Sequence, residues 1–182
     1  MHYLKRVHHA GFTIVELLIV IVVIAILASI TIVAFNGVQT SARNTAKLSE
    51  VKAWNNLFEI YKVTNGSYPN MSNGGYCLGT GFPDTSGDGK GDCRDLYYAP
   101  NRYSVNTTLN DALATSGSLP SSSIRTEVKG TLGPYVEYLS DNTIQIIGTF
   151  ELTSPSTPCP GGLKNFWHDN DKLSLCGYLL TK

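Results

Sequence analysis

The stretch GFTIVELLIV at residues 11–20 decides how this chain folds, because it opens a long apolar run that contains a single carboxylate. From Val7 to Ala42 the only formally charged side chain is that of Glu16. Phe12 to Phe35 is dominated by Ile, Val, Leu and Ala. As a helix this run reaches roughly 36 Å at about 1.5 Å per residue, and a bilayer core is about 30 Å thick. The run therefore predicts a membrane-spanning helix.

The first eleven residues, MHYLKRVHHAG, form a short basic leader that carries Lys5 and Arg6. Positive charge before a spanning helix stays on the cytoplasmic side, so the rest of the chain is expected to cross outward. An ordinary secretory signal peptide would have a shorter apolar region without a carboxylate at its start. A simple membrane anchor would gain nothing from Glu16.

The position of Glu16 indicates assembly between copies of the chain. A carboxylate at the start of a membrane helix costs a few kcal/mol unless a partner neutralises it. Cleavage after Gly11 would leave a free amine on Phe12, four residues before Glu16. The amine of one subunit placed against Glu16 of its neighbour would neutralise both groups and set the axial step of a filament.

The helix is predicted to continue beyond the membrane as an amphipathic segment over residues 36–64. Apolar side chains recur there mostly at steps of three and four, with charged residues such as Lys47 between them. The predicted apolar stripe consists of Val38, Ala42, Ala46, Leu48, Val51, Trp54, Leu57, Phe58 and Tyr61. Asn65-Gly66 is a helix stop signal, so one helix of about fifty residues is expected.

Residues 65–182 are predicted to form a globular head rich in Gly, Ser, Asn, Asp and Thr. Its expected elements are a short helix within Ser104–Ala114 and strands at Tyr135–Leu139, Thr143–Leu152 and Leu173–Leu180, the first two joined as a hairpin. The predicted fold class is α+β, a long N-terminal helix packed on a small antiparallel sheet. The chain thus divides into a leader (1–11), a membrane half (12–35), an amphipathic half (36–64) and a head (65–182).

Four cysteines lie beyond the apolar run, at Cys77, Cys93, Cys159 and Cys176. An even number in a small, loop-rich region indicates two disulfides formed in an oxidising compartment. A zinc site would require CxxC-type spacings, which the sequence lacks. Three pairings are possible; we favour Cys77–Cys93 and Cys159–Cys176 because each closes a short loop.

Residues 84–95 have the ligand spacing of a calcium-binding EF-hand loop. Oxygen ligands would come from Asp84, Ser86, Asp88, Asp92 and Asp95, together with the backbone carbonyl of Lys90, and Gly89 occupies the position of the sharp turn. Ser at the third position and Asp at the twelfth depart from the usual pattern. Two interpretations of residues 84–95 therefore remain open: a loop that binds calcium as a cofactor, and a solvated Gly/Asp loop.

No enzyme signature is present, since the chain lacks HExxH, GxSxG and a complete P-loop. His168 beside Asp169 and Asp171 is interpreted as a surface polar cluster. The ten tyrosines, Tyr97, Tyr98, Tyr103, Tyr135 and Tyr138 among them, are expected to pack rather than to stack on bases. With 14 basic and 14 acidic residues and no basic stripe, nucleic-acid binding is not expected.

Over Lys5 to about Ala28 the sequence resembles the cleavage and methylation motif of type IV prepilins and type II secretion pseudopilins. The resemblance implies that a prepilin peptidase cuts between Gly11 and Phe12 and methylates the new amine. It implies that Glu16 is the assembly carboxylate of a homo-oligomeric helical filament built by inner-membrane machinery. Cys159–Cys176 would match the disulfide-bounded C-terminal region of the family.

The resemblance predicts a single-pass precursor in the cytoplasmic membrane that becomes part of a cell-surface or extracellular filament. Many type IV pilins carry a proline in the membrane half, whereas none lies between Phe12 and Thr64 here. The head matches no single subfamily, so a pilus, a secretion pseudopilus and a competence pseudopilus stay open. The alternative function is a membrane-anchored, monomeric, calcium-dependent adhesin or binding module.

Overall fold

The computed structural model of the chain describes residues 11–94, 102–122, 133–152, 154, 156–168 and 173–182. The fold is α+β, as predicted. Its helices are α1 (Ile14–Asn65) and α2 (Thr107–Ala114), with a 3-10 turn at Pro160–Gly162. Its strands are β1 (Gly74–Cys77), β2 (Asp92–Arg94), β3 (Tyr103–Ser104), β4 (Tyr135–Tyr138), β5 (Thr143–Glu151), β6 (Lys164–His168) and β7 (Leu173–Thr181). The chain divides into two compact units, Met1–Ser41 and Ala42–Lys182.

The first unit contains the apolar part of α1. Its large apolar side chains are exposed, Ile14, Leu17 and Ile30 among them. Within the described residues α1 is the one helix long and apolar enough to cross a membrane. Because so large an exposed apolar surface is unfavourable in water, this part of α1 requires lipid or other protein around it.

The second unit is built around the C-terminal part of α1. Val51, Trp54, Leu57 and Phe58 are buried at helical spacing and pack in one core with β4, β5 and β7. Gly148 in β5 allows the helix to come close, since a Cβ there would lie 2.4 Å from Cγ2 of Val51. The amphipathic pattern therefore predicted the packed face of the helix correctly in this part.

The predicted stripe was wrong at its N-terminal end. Val38, Ala42 and Ala46 are exposed, and Lys47 is the first fully buried residue of α1 among those whose burial the structure describes. Lys47 itself was assigned to the polar face but is buried. A lysine can occupy such a position because its aliphatic stem covers apolar surface. The second compact unit begins at Ala42 and so includes the C-terminal part of α1.

Five strands form an antiparallel sheet in the order β1-β4-β5-β7-β6. The predicted hairpin is present: β4 pairs with β5, Tyr138 opposite Ile144, and Asn142 in the turn has φ 65°. Successive side chains of a strand point to opposite faces of the sheet. Ile144 and Ile146 belong to the core that contains α1, whereas Ile147 belongs to a smaller cluster with Tyr135, Phe82 and Tyr103.

Four strands were not predicted: β1, β2, β3 and β6. The first three are too short or too polar to show apolar alternation; their sequences are GGYC, DCR and YS. The fourth, KNFWH, mixes polar and apolar residues without that alternation. Ser104 was expected in the short helix but lies in β3. The helix α2 begins at Thr107, where the side chain of Asn106 caps it by accepting a hydrogen bond from the N–H of Leu109 (2.9 Å).

The end of α1 is the one predicted from Asn65-Gly66. Gly66 has φ +81°, and its N–H donates to the carbonyl of Lys62 at 2.8 Å. This left-handed conformation satisfies a carbonyl of the last helical turn and suits glycine, which has no Cβ. The chain then leaves the helix toward β1.

Two disulfides close short loops in the head. Cys77 in β1 is bonded to Cys93 in β2, and Cys159 before the 3-10 turn is bonded to Cys176 in β7. This is the sequential pairing that the sequence analysis favours. Each bond restricts the unfolded chain and stabilises the head by about 3 kcal/mol in the chain-entropy model.

The end of β5 is fixed to α1 by polar contacts. The side-chain amide of Asn44 donates to the carbonyl of Glu151 (2.6 Å), and its oxygen accepts from the N–H of Glu151 (3.0 Å). The Nε of Arg43 donates to the Glu151 carboxylate at 3.0 Å. The side chain of Asn44 thus pairs with the backbone of Glu151 in place of a neighbouring strand.

Replacing Phe58 by Ala should destabilise the head by about 3–5 kcal/mol, because a fully buried ring leaves a cavity. Ile60→Ala, on the exposed side of the same helix, should change the free energy of unfolding by only about 0.5 kcal/mol. Urea denaturation of the unit Ala42–Lys182, followed by the fluorescence of Trp54, measures both. Equal losses from the two variants would contradict the described packing of α1.

Candidate functional site

The candidate site is the start of α1, where the predicted cleavage and assembly residues lie. Gly11, Phe12 and Thr13 precede the helix and are exposed, Phe12 to 79%. The side chain of Thr13 accepts a hydrogen bond from the N–H of Glu16 (3.2 Å). In return Oε2 of Glu16 accepts from the N–H (2.9 Å) and from the hydroxyl (2.8 Å) of Thr13.

This reciprocal arrangement is a capping box, with Thr13 as the N-cap and Glu16 three residues into the helix. It satisfies two backbone N–H groups that a helix start leaves without partners, and the negative charge lies where the helix dipole favours it. Glu16 therefore has a structural partner within its own chain. This role was not predicted from the sequence, although the pattern T-x-x-E before an apolar run is its signature.

The hydrogen bonds described for Glu16 all involve Oε2. Its second oxygen, Oε1, can therefore accept a further donor without breaking the capping box. A carboxylate held in this way at the beginning of an apolar helix is pre-positioned, since its rotamer is already fixed by Thr13. The arrangement can bind one cation or amine, and it contains no nucleophile and base pair for catalysis.

The predicted calcium loop is held by its own carboxylates. Asp84 accepts from the N–H groups of Gly89 (2.8 Å) and Gly87 (2.7 Å). These hydrogen bonds, that from Gly89 first, hold the pKa of Asp84 below its usual range. The hydroxyl oxygen of Ser86 lies 3.1 Å from Oδ1 of Asp84 and 2.9 Å from Oδ1 of Asp88. The two carboxylates therefore contact the same hydroxyl. The N–H of Lys90 donates to Asp88.

Asp92 is turned inward instead. It is fully buried and accepts hydrogen bonds from Ser104 (2.7 Å) and from the hydroxyl and N–H of Thr85 (2.8 and 2.9 Å). Burial favours its protonated form, but the bonds from Ser104, Thr85 and Ser86 outweigh this and lower the pKa of Asp92. Asp95 lies outside the described residues. Within those residues no three His, Cys, Asp or Glu side chains come together as metal ligands.

Other candidate residues take structural positions. The ring of His168 is hydrogen-bonded to Ser174, which is fully buried and so not accessible as a nucleophile; Asp169 and Asp171 lie outside the described residues. Tyr103, Tyr135 and Tyr138 are buried. Tyr97 and Tyr98 also lie outside the described part of the chain.

Comparison with known proteins adds a family motif at the site. Residues 6–32 match the model of the prokaryotic N-terminal methylation motif. The chain is similar to type II secretion system core protein G of Aeromonas hydrophila, with 31% identity over 71 residues, which cover 39% of this chain and 50% of that protein. The protein of the same name from Escherichia coli K12 is 34% identical over 64 residues, which cover 35% and 44%. That from Vibrio cholerae serotype O1 is 31% identical over 70 residues, which cover 38% and 48%.

No solved structure matches the chain significantly. The chain spans about half the length of the curated relatives it matches. The motif followed by an apolar helix is that of a membrane-anchored precursor. The chain thus carries the prokaryotic N-terminal methylation motif and is similar to type II secretion system core protein G over part of its length.

Calcium binding at residues 84–95 stays a prediction, now centred on Asp84 and Asp88. Two carboxylates around one hydroxyl repel each other, and a hard divalent cation would relieve this. The head should therefore melt at a higher temperature in millimolar calcium than in chelator. Asp88→Ala should abolish that difference.

Asp92→Ala serves as the matched control in this experiment. It should destabilise the head on the order of 3 kcal/mol in both solutions, because buried donors lose a charged acceptor. The pKa of Asp92 is depressed in the folded state, so its contribution is present above about pH 4 and is lost as the pH falls further. Identical melting curves of the unmodified head in calcium and in chelator would identify residues 84–95 as a simple solvated loop.

Proposed function

We propose that the protein is the structural subunit of a type IV pilus or pseudopilus filament. A prepilin peptidase cuts the precursor between Gly11 and Phe12, and the membrane-inserted subunit then assembles through the first part of α1. The observation that carries this proposal is an exposed apolar helix that begins with a capped, pre-positioned carboxylate. The similarity to core protein G supports a secretion pseudopilus in particular.

The exposed helix surface supports assembly in two ways. Lipid can cover the side chains from Ile14 onward while the subunit is in the membrane, and neighbouring helices can replace the lipid in a filament. Both environments are apolar, so the transfer between them has a small hydrophobic cost. The axial position of one helix beside another must then be set by a polar contact.

Glu16 supplies this contact. The amine that cleavage creates on Phe12 of one subunit would donate to Oε1 of Glu16 in the neighbour, whose Oε2 remains bonded to Thr13. In low dielectric a charge without its partner is strongly unfavourable, so a wrong axial position is penalised. A monomeric anchor or binding module would have no use for this second oxygen.

The mature subunit should begin at Phe12 and carry a methylated amine. The motif at residues 6–32 and the exposed, non-helical Gly11 and Phe12 make this bond accessible to a peptidase. Intact-mass spectrometry of the surface-exposed protein measures the result. Filaments whose subunits retain residues 1–11 would refute this processing.

Glu16→Gln should abolish filaments while leaving α1 and the membrane-inserted subunit intact. Gln can keep the capping box, because its side-chain oxygen accepts from Thr13, but it has no charge to pair with the Phe12 amine. Electron microscopy of sheared fibres gives the yield, and Glu16→Ala is the control that loses both functions. If Glu16→Gln forms normal fibres, Glu16 acts only as a helix cap and the pairing mechanism is wrong.

A further inference from the structure

We draw no further inference here: the strongest candidate, the pocket of about 250 Å³ on the face of the sheet opposite to α1, is lined by apolar side chains such as Trp167 and Leu175 and by Arg94 and Glu137, which pair with each other, and nothing in the described part of the chain shows what covers it.

Discussion

The packing of Trp54 and Phe58 against the sheet is the interaction on which the head depends. Both side chains are fully buried among residues of β4, β5 and β7, and Gly148 lets the helix approach β5. The strands are short, and a small sheet with one uncovered apolar face has little stability in water. The C-terminal part of α1 supplies that cover, together with α2. Because α1 occupies one face only, the other face is covered separately by the smaller cluster that contains Tyr135 and Ile147.

Glu16 has one role in the single chain and a second role in the filament that we propose. In the single chain it completes the capping box with Thr13, so its charge is partly compensated before any neighbour arrives. In a filament its second oxygen would receive the amine of another subunit. The cap fixes the position of the carboxylate before a neighbour arrives, which would lower the entropic cost of the proposed contact.

The sequence predicted those parts of the fold that have strong local signals. The apolar run, the Gly66 stop, the β4–β5 hairpin and the cysteine spacing are of this kind. The short strands β1, β2 and β3 were not predictable, because contacts with distant residues hold them in place. The capping box, by contrast, was readable from Thr13 and Glu16 alone.

The position of β7 has a consequence for biosynthesis. It is the last described strand in the chain, yet it lies between β5 and β6 and carries Cys176. The sheet cannot close until the ribosome has released these residues. By then the apolar part of α1, which is made first, can already be inserted in a membrane. The head therefore completes its fold only after α1 has been made, so that early folding of the head does not compete with insertion of the helix.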